Sequence, residues 1–385
     1  MVATYVRLIR APKQSFFLLG VRGVGKSTWA RTELAGALRI DLLDERLHQD
    51  LLLDPSLFAQ MLNDVGPRDW VVVDEVQRIP QLLNEVHRLI ESRRMRFALL
   101  GSSARKLKAA GTNLLAGRAL QKTMFPLTAS ELGNAFDIEA ILRHGSIPLV
   151  WASEDRGATL EAYVQLYLRE EIRAEALVRN LPGFVRFLPT AALFHGQTIN
   201  VAGIARDAGV ARTTVQGYLD ILEDTLLVHR LPAYEARLRV RERKLPKLYW
   251  VDPGLVRAVK RQLGAVGSEE RGALLEGWVL TSLRAHAQVS ELFDSVSFWA
   301  PAQAAHTEVD FLLERGNELL AIEVKATDRH HTSQLKGLRA IGDLPRVARR
   351  VLVYSGQRSF RSSDGIDVWP LKRFHEALRE SALWP

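Results

Sequence analysis

Short apolar runs alternate with amphipathic stretches over the first third of the chain. Runs at 15–20, 37–42, 69–74, 96–101 and about 120–125 have the length and branched content of buried strands. Helical spacing predicts helices at 26–36, 79–93 and 103–110. Such alternation predicts an α/β fold with a mainly parallel sheet and helices on both faces. Ligands then sit at the carboxyl ends of the strands. From Pro126 the pattern turns helical. Leu132–Arg143 and Leu160–Leu177, joined by a loop at 144–148, read as a small lid and linker. The aromatic residues of Tyr163–Arg173 read as core. Ile199–Ala205 opens one helix, Gly209 makes a turn, and Arg212–Glu223 forms the next. Strand-like Leu226–Leu231 follows. The last part holds a helix over Gly272–Ala285 and strands over Val296–Trp299, Glu308–Leu313, Leu319–Val324 and Val351–Tyr354. Its middle strands form a hairpin through Arg315, Gly316 and Asn317. Four segments result: 1–128, 129–180, 181–262 and 263–385.

Candidate chemistry gathers at the ends of the first strands. Residues 20–27 complete G-x-x-x-x-G-K-S between the apolar run Phe16–Leu19 and a helix-forming stretch. A strand, a glycine loop and a helix start in that order make a phosphate cradle. Its candidate nucleotide-binding residues are Gly20, Gly23, Val24, Gly25, Lys26, Ser27 and Thr28. Gly20 and Gly25 admit close backbone approach with amides pointing inward. Lys26 is expected to reach the β- and γ-phosphates and Ser27 to take Mg²⁺, so ATP and Mg²⁺ are the expected cofactors. The second acidic element is Asp74-Glu75, closing the run Trp70–Val73. Asp74 would hold Mg²⁺ through water and Glu75 would position or deprotonate the attacking water. Phe97–Leu100 leads into Ser102 and Ser103. Either serine suits a sensor of the γ-phosphate, and either suits the cap of a following helix.

Composition narrows the class. The 385 residues include no cysteine, which excludes disulfides, thiolate zinc sites and a cysteine nucleophile. No apolar stretch is long enough to span a bilayer, and Met1–Pro12 lacks a signal-peptide layout, so a cytoplasmic protein without a membrane partner is expected. The net charge of +8 favours a polyanionic partner, or reflects a generally basic protein. Clustering bears on that choice. Around Gly209, Ala205 is small and Val215 and Tyr218 are apolar, as a helix-turn-helix requires. Arg212, Thr213, Thr214 and Gln216 then face outward toward a groove. A basic run over Arg237–Lys247, with Arg239, Arg241 and Arg243, follows and resembles a wing or a following hairpin. DNA is the expected partner of these two features. The other reading is a protein-packing helix pair with a solvated edge.

In the last segment Glu323 and Lys325 share one strand face, and Asp310 lies on the paired strand. Two carboxylates and a lysine suit metal-dependent phosphodiester cleavage, with Asp310 and Glu323 as metal ligands and Lys325 orienting water. Glu276, on the preceding helix, would add a carboxylate. A salt-bridged strand pair is the alternative.

These residues resemble a family of prokaryotic AAA-type ATPases with a C-terminal domain of uncharacterised function and a restriction-endonuclease-like fold. The resemblance rests on Gly20–Thr28, Val71–Gln77, Leu100–Ser103, Asn113–Arg118, Tyr167–Ile172, Lys247–Leu255, Gly272–Trp278 and Glu308–Ala326. It implies a parallel-sheet P-loop core, a helical lid, a winged helix-turn-helix and a nuclease-like α/β end. It also implies that Arg118 sits where a similar arginine recurs, either as a finger toward ATP in a neighbouring copy of a homo-oligomer or paired to a local carboxylate. The expected activity is ATP hydrolysis coupled to DNA processing in repair, recombination or defence. The alternative is a nucleotide-controlled switch on a protein partner, with an inactive nuclease fold.

Overall fold

Five strands of the first third form one parallel sheet in this computed structural model, which describes residues 5–103, 105, 115, 117–168, 180–234, 245–301 and 307–385. They are β1 (Phe16–Leu19), β2 (Leu38–Asp41), β3 (Trp70–Asp74), β4 (Arg96–Gly101) and β5 (Leu120–Thr123), in the order β2-β3-β4-β1-β5. Successive strand residues point to opposite faces. Phe17, Leu19, Val71, Val73, Phe97 and Leu99 therefore pack under Leu51, Phe58, Leu83 and Val86 on one side. Phe16, Leu18, Val72, Ala98 and Leu100 join the larger core on the other. Burial on both faces explains why these strands read as unbroken apolar runs. Helices Glu45–Leu53 and Ser56–Met61 fall where the sequence pattern gave no element. Asp44 starts the first by accepting from the amides of Arg46 and Leu47.

The lid region is more broken than its periodicity predicts. It holds short helices Ala129–Leu132, Ile138–His144, Pro148–Trp151 and Arg156–Ala162, then one π-helical stretch, Tyr163–Leu168. Most of the predicted helix at 103–110 lies outside the described residues.

Helix Leu181–Leu193 leads into β6 (Gln197–Thr198), and two helices follow, Val201–Ala208 and Arg212–Asp224. Gly209 turns between them with φ 63°, a left-handed conformation glycine adopts at little cost. β7 (Val228–Leu231) and β8 (Lys247–Trp250) complete an antiparallel sheet in the order β6-β8-β7.

The long helix Ser268–Ser290 precedes a six-stranded mixed sheet. Its strands are β9 (Ser295–Trp299), β10 (Val309–Arg315), β11 (Glu318–Lys325), β12 (Val347–Tyr354), β13 (Phe360–Arg361) and β14 (Asp367–Pro370), in the order β13-β14-β12-β11-β10-β9. β10 and β11 form the expected hairpin, with Phe311 opposite Ile322. The register of β10 against β9 shifts between Val309 and Leu312, at Asp310. Such irregularities re-aim side chains. Phe311, Leu313 and Ile322 pack into the large core with Trp278, while Leu312, Ala321 and Leu352 form a separate core on the opposite face. Among the described residues, no helix is long and apolar enough to cross a membrane.

Three histidine rings lie where charge is disfavoured, His195 buried and His229 and His375 half-buried. Burial pushes His195, His229 and His375 down from 6.5 to about 3. His195 Nδ1 also accepts from the Trp250 amide at 3.0 Å, so protonation there breaks a bond. The folded values lie below the unfolded one. The associated stability is thus full above pH 6.5 and is lost as pH falls toward 3. Each ring should cost about 1.4 kcal/mol per pH unit in that window. Melting is expected at a clearly lower temperature at pH 5 than at pH 7.5, and equal values would show the rings are not held neutral.

Candidate functional site

The loop between β1 and helix Lys26–Glu33 is built on backbone geometry. Gly23 and Gly25 have φ of 73° and 94°, where a side chain is strained. A Cβ on Gly20 would meet the Met124 carbonyl oxygen at 2.5 Å. Val24 is fully buried and anchors the loop to the core. The first amides of a helix have no partner within it and point outward, which favours an anion there. Lys26, Ser27 and Thr28 supply those positions. The Lys26 ammonium is buried and donates to Gly20 O at 2.7 Å and Val21 O at 3.3 Å.

β3 ends in Asp74, which accepts from the Glu75 amide at 3.1 Å, and Glu75 lines the cleft beside this loop. Glu75 has φ 56°, a left-handed conformation uncommon outside glycine. Such strain persists where surrounding contacts enforce it. Gln77 supplies one: its Nε2 donates to Glu75 Oε2 at 2.5 Å and to Ser102 Oγ at 3.1 Å. The two serines differ in their bonding. Ser102 joins the acidic centre through Gln77, and Ser103 Oγ accepts from the Arg105 amide at 3.0 Å. Sequence reasoning gave Gln77 no role; a polar residue two positions past Glu75 was the available signal.

A cleft of about 520 Å³ opens over the loop, within the usual size for small-ligand sites. Gly23, Gly25, Lys26, Ser27, Thr28 and Glu75 line one part, and Tyr5, Arg7, Pro148, Leu149 and Ser153 are among those lining the rest. Arg7 was also missed. Its guanidinium donates to Val24 O at 2.6 Å and Phe125 O at 2.5 Å and pairs with Glu131 at 2.8 Å, tying the N-terminal segment to the loop. The lid reaches the same loop. The Leu149 amide donates to Gly23 O at 3.2 Å and the Tyr163 hydroxyl to Arg22 O at 2.9 Å. No three His, Asp or Glu side chains converge as a metal cage among the described residues.

Arg118 precedes β5 and forms an ion pair with Glu91 on helix Leu82–Arg93. This local pairing is one of the two arrangements considered for it. On helix Arg212–Asp224, Arg212, Thr213 and Gln216 are exposed, Thr214 is half-buried, and Val215 and Tyr218 face the core. Gln216 donates to Asp220 at 3.2 Å. Arg239, Arg241 and Arg243 lie outside the described residues. At its far end this helix meets the first sheet. Arg105, just past β4 and its serines, pairs with Asp224 at 2.7 Å.

The C-terminal carboxylates also gather. Asp310 Oδ2 accepts from the Val324 amide at 2.8 Å, and Lys325 donates to Glu323 Oε1 at 2.5 Å. Glu276 joins from its helix and accepts from the Tyr249 hydroxyl at 3.2 Å. Burial and then Asp310 hold Glu276 well above the usual carboxylate range and push Glu323 up to about 8. Burial opposes the charge on Lys325, but Asp310 and Glu323 outweigh it and raise its pKa. Lys247 enters from β8, 3.0 Å from Glu308 and 3.9 Å from Asp310. These carboxylates are thus neighbours interleaved with lysines, and among the described residues they form no three-ligand metal group. The sequence placed Lys247 in the basic run, whereas the structure buries it among carboxylates; Tyr249 was missed, although the alternation of both with Leu248 and Trp250 is a strand signal.

Comparison with known proteins divides the chain into three matches. Residues 12–133 match an AAA domain. Residues 135–265 and 271–374 match two domains of unknown function, DUF8612 and DUF4143. An uncharacterized protein of Mycobacterium tuberculosis is 31% identical over 373 residues, which cover 94% of this chain and 81% of that one. An uncharacterized protein of Haemophilus influenzae is 22% identical over 342 residues, covering 82% and 80%. Among solved structures, the Aeropyrum pernix ORC2 protein in its ADP form aligns at 15% identity and TM-score 0.31, over 65% of this chain and 88% of that one. The ORC1 protein of the same organism, in complex with DNA, aligns at 16% and TM-score 0.26, over 66% and 87%.

Proposed function

Since this chain belongs to the family of the mycobacterial protein it matches along nearly its whole length, we propose that its AAA domain hydrolyses ATP to drive an action on DNA. The observation that carries this reading is the link from the phosphate loop to the helix pair. Lys26, Glu75, Gln77 and Ser102 meet around the cleft and the end of β4, and Arg105 joins that end to Asp224. Magnesium, when bound, would neutralise phosphate charge. The chain's own residues do the rest. Loop amides and Lys26 hold the phosphates, Glu75 takes the water proton, and Gln77 fixes Glu75 against Ser102. Arg118 would complete the charge stabilisation if it leaves Glu91 for a neighbouring copy.

In the same reading, Leu181–Leu193 through β8 is a winged helix-turn-helix. It would grip duplex or branched DNA through Arg212, Thr213, Thr214 and Gln216. The basic run would add Arg239, Arg241 and Arg243. The C-terminal domain would be a restriction-endonuclease-like fold in which Asp310 and Glu323 hold Mg²⁺ and Lys325 orients water. The buried Glu323 Oε2, without a hydrogen-bond partner among the described residues, fits a cation ligand. One observation favours a second reading, a nucleotide-controlled switch on a protein partner. On helix Arg212–Asp224, Asp220 and Glu223 pair with Arg230 and Asp224 pairs with Arg105, so its far half serves packing within the chain.

Salt dependence separates the two. Neutralising Arg239, Arg241 and Arg243 together is expected to weaken binding to all DNA sequences alike. The slope of log affinity against log salt should flatten by about one unit per lost phosphate contact. If the triple variant keeps the wild-type affinity and slope, the basic run is not a DNA-contacting surface.

A further inference from the structure

We propose that Lys247 is a built-in occupant of the cation position at Asp310, so that its ammonium and a divalent ion exclude each other. The inference rests on reading Asp310 and Glu323 as a metal site. Its ground is the way β8 meets the C-terminal domain. β8 belongs to the sheet beside the helix pair, through its pairing with β6 and β7. Its residues Lys247 and Tyr249 are two apart and share a face. Both end in the carboxylate cluster: Lys247 Nζ on Glu308 at 3.0 Å and Asp310 at 3.9 Å, Tyr249 on Glu276 at 3.2 Å. The Lys247 side chain is only 5% exposed, although Glu308, its nearest partner, is 47% exposed. A buried ammonium needs paired carboxylates around it, and here it finds them.

The cluster nevertheless keeps one acceptor that the lysines do not satisfy. Glu323 is buried and its Oε1 takes Lys325, while Oε2 has no hydrogen-bond partner among the described residues. A set of close carboxylates with an orphaned oxygen and a lysine inserted beside Asp310 is what a cation site looks like when a side chain fills it. A divalent ion at Asp310 would stand close to the Lys247 charge, and the two would repel in a poorly solvated interior. The ion therefore enters only when the Lys247 ammonium withdraws. β8 thus joins the sheet beside the helix pair to the C-terminal site through Lys247 and Tyr249.

The test uses the full nucleotide-free chain and Mn²⁺ alone, with binding read by paramagnetic resonance. Lys247→Met is expected to bind one Mn²⁺ at least about tenfold more tightly than wild type, since removing the like charge removes the repulsion. That gain should vanish in Lys247→Met with Asp310→Asn. Equal affinity in wild type and Lys247→Met, or a gain that survives Asp310→Asn, overturns the proposal. Should Lys247→Met fail to fold, Lys247→Gln gives the answer: it removes the charge and keeps a polar end beside Glu308 and Asp310. A rise in Asp310-dependent Mn²⁺ affinity supports the lysine as occupant, and no change or a fall overturns it. Nicking of supercoiled plasmid in the same samples keeps the two ideas apart. Tighter Mn²⁺ binding without nicking removes cleavage and leaves the role of Lys247 intact.

Discussion

Lys26→Ala is expected to lower ATP affinity roughly a hundredfold or more. The side chain is buried against the loop, with its ammonium on Gly20 O and Val21 O. In the complex it would turn to the β- and γ-phosphates, where a desolvated charge pair is formed. Breaking such a pair by removing one partner typically costs about 3–5 kcal/mol, which is roughly two to three and a half decades in affinity. The nucleotide-free fold should change little, because the loop is held independently by Val24, Arg7 and the Gly20 amide bond to Gly101 O. Thermal melting makes both halves visible. Wild type at about a hundred times Kd should gain close to 2.7 kcal/mol from ATP. The variant should melt like nucleotide-free wild type at the same ATP concentration. An undiminished ATP shift would remove Lys26 from phosphate binding.

Glu75→Gln should separate binding from chemistry. The cleft keeps its shape, so ATP affinity should stay within a few-fold of wild type. Hydrolysis should fall by about 10²–10⁴, the usual contribution of a positioned general base. Glutamine keeps a hydrogen-bond acceptor for Gln77 Nε2 and loses the basic oxygen. Single-turnover measurement with excess enzyme isolates this step from product release. Normal single-turnover rates would transfer the role of base to another group. Gln77→Ala is the informative companion, since it frees Glu75 from Ser102 without removing the carboxylate.

Much of the first sheet was legible because both its faces are covered. Phe16–Leu19, Val71–Val73 and Phe97–Leu100 are apolar without a break, and buried parallel strands have that composition. The phosphate loop was legible because its glycines serve backbone geometry, which needs one residue type at fixed spacing. Lid elements were harder to read. Pro148–Trp151 and Arg156–Ala162 are too short for a helical period to register, and packing on Gly23 and Trp151 positions them. Long-range partners were not legible at all. Arg7 with Val24 O and Phe125 O, Arg105 with Asp224, and Lys247 with Asp310 join residues far apart in sequence. Their roles follow from tertiary placement, which no local pattern encodes. The Asp310, Glu323 and Lys325 spacing correctly announced neighbours across a hairpin. It did not announce that β8 would insert a lysine among them.

ATP turnover with and without DNA bears most directly on nucleotide-driven action on DNA. The rate is to be measured for wild type alone and with single-stranded, duplex and branched DNA at low and high salt, with Glu75→Gln as the blank. At least one DNA form should raise turnover at low salt, and the increase should fade as salt rises. Glu75→Gln should stay at background throughout. Turnover that is present, depends on Glu75 and is indifferent to every DNA form at low salt would contradict a DNA-acting ATPase and leave the protein-directed switch.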